Sequence, residues 1–175
     1  MTTAMQRKAL TKLYGYIPKR PEHLTVETVN AKALGKSKIK SITFTAYYGD
    51  RSVSFSAEAY GLSERTQGAA IIYLGKSDSF ADYAEKKVKA GIGVLRIPDE
   101  EFFRGGKFTD ISRELLYRKK QRGLLPLLAW AAVRAYEFLN SEGVAEVSVK
   151  ADCEYTDCAL IASYIEPRLV NGAKK

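Results

Sequence analysis

The run Arg118-Lys119-Lys120-Gln121-Arg122-Gly123 stands directly before the apolar stretch LLPLLAWAAVRAYEFLNSEG. A basic glycine turn that opens onto a helix is suited to holding an anion, because the first backbone N–H groups of a helix lack internal partners and its dipole favours negative charge there. A phosphorylated ligand is the natural guest for such a turn, and a solvated basic loop is the plain alternative. Further along, Asp152, Glu154 and Asp157 precede or open the segment TDCALIASY. They read first as cap and first-turn acids of a last helix, and second as a base or metal cluster. Cys153 and Cys158, five residues apart, fit neither a CxxC redox pair nor a zinc knuckle, and with the single His23 they are too few for a four-ligand Cys/His zinc site. They read as reduced, semi-buried packing residues, and His23, in a proline-flanked loop, reads as a surface residue.

The elements that must position these groups follow from the periodicity. Residues 1–35 form a lead-in with Pro18 and Pro21 as punctuation, in which Leu10, Leu13 and Tyr14 mark a short amphipathic helix expected to dock on the rest. From Lys38 the period is two: Ile42, Phe44 and Ala46 alternate with hydroxyl residues, and after Gly49-Asp50 so do Val53, Phe55 and Ala57. This predicts a β-hairpin with one apolar face. GAAIIYLG reads as a buried strand, Ser79–Lys89 as a helix ended by Gly91, and GVLRI as another strand.

The window 107–123 is ambiguous between a strand ending at Tyr117 and the start of a longer helix. Gly123 and Pro126 favour strand, turn and then helix, since proline is tolerated in a first helical turn and costs about 3 kcal/mol in the interior. The helix is expected from Leu124 to Gly143, with Leu128, Ala131, Ala132, Ala135, Phe138 and Leu139 on the apolar side and Arg134 and Glu137 opposite. VAEVSV returns as a strand, so the fold class is α/β.

Tyr117 to Leu125, the helix after it, Glu142-Gly143-Val144 with its strand, and Asp157 to Tyr164 together resemble the GNAT superfamily of N-acetyltransferases. Asp110-Ile111-Ser112-Arg113 is similar to the Ile-Ser-Arg strand of acyl-homoserine-lactone synthases. The resemblance covers about a third of the chain. It implies a single-domain α/β fold with a mixed, mostly antiparallel sheet flanked by helices, of the acyl-CoA N-acyltransferase type. It also implies acetyl-CoA or another acyl-CoA as cosubstrate and a small-molecule or macromolecular amine as acceptor. By the same resemblance, amides of Gly123, Leu124 and Leu125 with Lys119, Lys120 and Arg122 would bind the pyrophosphate. Tyr164 would protonate the leaving thiolate, and Glu146 or Asp152 would relay the amine's proton. Leu125 departs from the family's second small residue in the turn, and Asp157 from its usual asparagine.

At 175 residues the chain suits one domain, 1–175, with 171–175 as a disordered tail. Its 28 Lys and Arg against 20 Asp and Glu give a net charge of +8, which favours polyanionic or phosphorylated partners. A second reading is therefore a basic nucleic-acid-binding protein. A third joins the two as a DNA-modifying enzyme of the phage Mom type, with Lys150-Ala151-Asp152 at its Ala-Asp step. A fourth is a non-catalytic interaction or inhibitor protein on the acyltransferase fold. No stretch reaches eighteen apolar residues and the N-terminus lacks a signal-like apolar run, so a soluble, cytoplasmic protein without membrane contact or metal is expected.

Overall fold

A computed structural model describes residues 3–15, 17, 24–34, 37–48, 51–62, 68–75, 80–98, 120, 122–123 and 125–171. The hairpin expected from the two-residue period forms. Strand β2 (Ser37–Tyr48) pairs antiparallel with β3 (Arg51–Tyr60), placing Phe44 opposite Phe55 with their rings stacked 5.0 Å apart. Its Gly49-Asp50 turn lies outside the described residues. The lead-in holds helix α1 (Thr3–Tyr14) and also a strand, β1 (Leu24–Leu34), antiparallel to β2. The register of β1 shifts between Thr28 and Ala31, and such a bulge breaks the alternation by which a strand is recognised.

The remaining elements are β4 (Ala69–Leu74), α2 (Phe80–Lys89), β5 (Ile92–Ile97), α3 (Leu125–Ser141), β6 (Glu146–Ala151), a 3₁₀ turn at Cys153–Tyr155, α4 (Thr156–Ile165) and β7 (Val170–Asn171). Gly91 and Gly143 close α2 and α3 at φ 76° and 83°, a left-handed conformation that costs glycine nothing. The ambiguous stretch before Gly123 lies, up to Lys119, outside the described residues.

Among the described residues the sheet has seven strands in the order β1-β2-β3-β5-β4-β6-β7. Pairs β1/β2, β2/β3 and β3/β5 are antiparallel, and β5/β4, β4/β6 and β6/β7 are parallel. The domain is therefore α/β with a mixed sheet flanked by helices, as expected, but its second half is not the antiparallel meander of an acyl-CoA N-acyltransferase. The reason is physical: α2 joins β4 to β5, and a strand that returns through a helix lies parallel to its neighbour.

Helix α2 covers one face, where Phe80 and Ala84 pack on Tyr73 and Val94. Helices α3 and α4 cover the other, over Ile72, Leu74, Leu95, Ile97, Val147 and Val149. Helix α1 docks on this second side: Leu10 and Tyr14 pack on the core, and the Tyr14 hydroxyl donates to Asp157 Oδ2 at 2.5 Å. Helix α3 is buried from Pro126 through Tyr136, so Arg134 does not sit on an outer polar side. It is 0 % exposed, paired through Nη1 with Glu137 Oε2 at 2.7 Å.

Candidate active site at the carboxyl end of β4 and β6

The connection β4–α2–β5 places β5 on one side of β4, and β5–α3–β6 places β6 on the other. The chain thus reverses direction across the sheet at the β4/β6 boundary. In open parallel sheets the crevice outside the carboxyl ends at such a point is where ligands bind. Four residues define it here. Tyr73 is paired in register with Lys150 near the strand ends, and Gly75 and Asp152 follow Leu74 and Ala151.

Asp152 is held on every side the structure describes. Its amide donates to the Leu74 carbonyl at 3.0 Å, and its Oδ1 accepts from the Tyr73 hydroxyl at 2.5 Å. Its Oδ2 lies so close over Gly75 that a Cβ there would collide with it. Burial and then the hydrogen bond to Asp152 push the Tyr73 phenol well above its usual range, so it remains a donor.

Cys153 is the next residue and opens the 3₁₀ turn, and its thiol is exposed. The Tyr155 amide donates to the Asp152 carbonyl at 2.8 Å, and the Thr156 hydroxyl to the Cys153 carbonyl at 3.0 Å, which ties the turn into α4. Cys158 is the buried thiol, raised well above the usual range by burial. The expected pair of packing cysteines is thus one packed and one presented to solvent.

The residues singled out in sequence do not converge. Glu146 is exposed at the start of β6, about 20 Å from Asp152 at the rise of an extended strand. Tyr164 is half-buried in the last turn of α4, about 12 Å along the helix from its start, with the Arg7 guanidinium 5.2 Å from its ring centroid. At the glycine turn, Lys120 (φ 54°), Arg122 and Gly123 (φ 76°) are exposed and Leu125 is the half-buried first residue of α3. The Arg122 amide donates to the Tyr14 carbonyl at 2.6 Å, so it holds the end of α1. Lys119, Leu124 and His23 lie outside the described residues. Among the described residues no group of three or more His, Cys, Asp or Glu could hold a metal, and no helix is long and apolar enough to cross a membrane.

A mixed sheet whose antiparallel first strands lead into parallel strands joined by helices, with a strand-to-helix turn at the carboxyl end of β6, is arranged as in the α/β-hydrolase fold. Solved structures agree. The chain superposes on a glucuronoyl esterase from Teredinibacter turnerae with TM-score 0.67 and 18% identity, over 95% of this chain and 49% of that one. For the glucuronoyl esterase from Solibacter usitatus the TM-score is 0.67 at 20% identity, over 94% and 55%. For that from Sporotrichum thermophile it is 0.62 at 22%, over 93% and 44%. The chain therefore spans about half the length of the structures it matches. No protein-family model and no curated protein matches it in sequence.

These likenesses establish the fold, and they overturn the GNAT assignment. With it go acyl transfer to an amine, the acyl-CoA cosubstrate, and the nucleic-acid, DNA-modifying and inhibitor alternatives. The physical source of the error is that a strand, a glycine turn and an apolar helix occur in any α/β layer, so their succession does not single out one fold.

Sequence reasoning read Cys153 only as a packing residue. In α/β-hydrolases the nucleophile stands on a strand-to-helix turn in a pattern G-x-S-x-G. Ala151-Asp152-Cys153-Glu154-Tyr155 forms the strand-to-helix turn after β6 here. Its sequence signal was a thiol placed two residues beyond an alternating strand and just ahead of a helix. The two flanking glycines are replaced by Ala151 and Tyr155. Among the described residues Lys120 is the one non-glycine with positive φ, so Cys153 does not take a left-handed elbow. Side chains at both flanks crowd a sharp elbow, and the chain takes the 3₁₀ turn instead.

Proposed function

We propose that the protein hydrolyses carboxylic esters at the turn after β6, with Cys153 as nucleophile. The observation that carries this reading is the exposed thiol at the centre of the turn that bears the nucleophile in α/β-hydrolases. Cys153 Sγ attacks the ester carbonyl and the carbonyl carbon forms a thioester. The alcohol leaves with the thiol's proton, and water then cleaves the thioester to a carboxylic acid and restores the thiol. Asp152, fixed by Tyr73 and the Leu74 carbonyl, sets the backbone from which Cys153 projects. Both cysteines are free thiols, the state in which a cysteine can act as a nucleophile.

In α/β-hydrolases the histidine follows the nucleophile in chain order. The one histidine of this chain, His23, precedes it. Acylation by a thiolate needs less help from a base than attack by water does, so the thioester accumulates and deacylation limits turnover. The test is rapid-mixing kinetics with 4-nitrophenyl acetate and a methyl ester of glucuronic acid, the latter because the matched structures are glucuronoyl esterases. A burst of about one equivalent of alcohol, with an acyl adduct on Cys153 by mass spectrometry, is expected from burst-phase acyl-enzyme behaviour. Rates in Cys153→Ala equal to wild type, or no release above buffer from either ester, would refute the proposal.

A further inference from the structure

Helix α2 packs on β3 and β5 and leaves the same-side face of β6 open, where Glu146 and Lys150 are exposed and Ser148 is half-buried. The flank of α2 and this face of β6 meet at Tyr83, and β6 runs on from Lys150 to the turn at Cys153. Two ammonium groups lie against that ring: Lys150 Nζ is 4.1 Å and Lys87 Nζ 5.7 Å from its centroid. They lie within about 10 Å of each other, comparable with the screening length of physiological salt.

Neither ammonium has a carboxylate partner among the described residues, whereas their neighbour Lys89 is paired with Glu85 at 2.7 Å. The acid nearest in sequence to Lys150, Asp152, is engaged by Tyr73. Two like charges held on one ring repel each other, and the attraction of the ring face offsets part of that cost. An anion bound between them removes the repulsion.

We propose that this lysine pair binds an anionic substituent, a carboxylate or a phosphate, on the ester that reacts at Cys153, so that the preferred substrates are esters bearing a second, negatively charged group. The proposal rests on the ester-hydrolase reading for its substrate, and on the lysine pair alone for its ligand. Lys150 stands three residues before Cys153 on β6, a Cα separation of about 10 Å, which a short dicarboxylic chain and a lysine side chain bridge together.

Two measurements on the full chain separate the two readings. Calorimetric titration of Cys153→Ala with glutarate, inorganic phosphate or neutral glutaramide reads binding without turnover. Glutarate or phosphate is expected to bind, with the tighter of the two naming the anion, and glutaramide is not. Affinity falls about fivefold with each of Lys87→Ala and Lys150→Ala, the upper end for one exposed ion pair, and declines as salt rises. Ester kinetics then compare 4-nitrophenyl hydrogen glutarate with 4-nitrophenyl acetate, the charged ester having the lower KM and the advantage vanishing in the double lysine variant. Anion binding without hydrolysis of any ester upholds the lysine site and removes the esterase. Hydrolysis with equal KM for both esters and no anion binding overturns the lysine site and leaves the esterase standing.

Discussion

Asp152 is the residue on which the crevice is built, and its environment yields a direct test. A carboxylate that accepts from a mostly buried phenol gains a charge-assisted bond, worth about 1.5–3 kcal/mol where both partners are shielded from water. Tyr73→Phe is expected to lower stability by about 1–2 kcal/mol in urea unfolding, the lower part of that range because Asp152 is half-buried and rehydrates. Gly75→Ala acts on the same carboxylate from the other side, since its methyl group would occupy the space of Oδ2. The two substitutions should therefore be non-additive, with a coupling of about 0.5 kcal/mol or more in a double-mutant cycle, whereas independent sites would add.

At the scale of the element, α3 is the central piece of the molecule, and its oddity is Arg134. The guanidinium is fully buried, with Nε and Nη2 lacking hydrogen-bond partners, and burial draws its pKa below the usual range. Its Glu137 partner keeps 17% side-chain exposure, so the two ends of the pair respond differently to removal of the other. Arg134→Met leaves a carboxylate that can reach water and fills the space with apolar volume. Stability is expected to stay within about 1 kcal/mol of wild type or to rise. Glu137→Ala strands a buried cation and is expected to cost about 3 kcal/mol. Paired denaturant titrations check the asymmetry, and an equal loss in both variants would contradict it.

For the whole molecule, the packed phenols predict alkaline behaviour. Burial pushes the Tyr60 hydroxyl up to about 12, with the Glu58 carboxylate adding to it, and Tyr14, Tyr73 and Tyr83 are also raised, each first by burial. A group whose folded pKa exceeds its unfolded value stabilises the fold while protonated in both states. That contribution is complete below the ordinary tyrosine value near 10 and is lost as pH climbs through about 12. Tm should therefore be level on this account up to about pH 10 and fall above it, in step with the phenolate absorbance, and Tyr60→Phe should reduce the slope. The docking of α1 belongs to the same transition, because the Tyr14 phenol that holds Asp157 is among these groups.

The sequence by itself determined the local elements. The alternation around Phe44 and Phe55 specified the hairpin, Gly91 and Gly143 the ends of α2 and α3, and Pro126 the start of α3, because periodicity and backbone stereochemistry act between near neighbours. The tertiary structure alone decided the rest. The pairing of β4 with both β5 and β6, which turns a supposed antiparallel meander into a parallel sheet, depends on partners 23 and 77 residues apart, and no local pattern encodes it. Strand β1 was hidden by its bulge, and Arg134 looked polar-facing until helices and sheet closed around it. The same long-range pairing sets Asp152 against Tyr73 and lifts Cys153 to the mouth of the crevice. A residue's chemistry depends on what the fold brings beside it, so the thiol that read as packing became the centre of the candidate site.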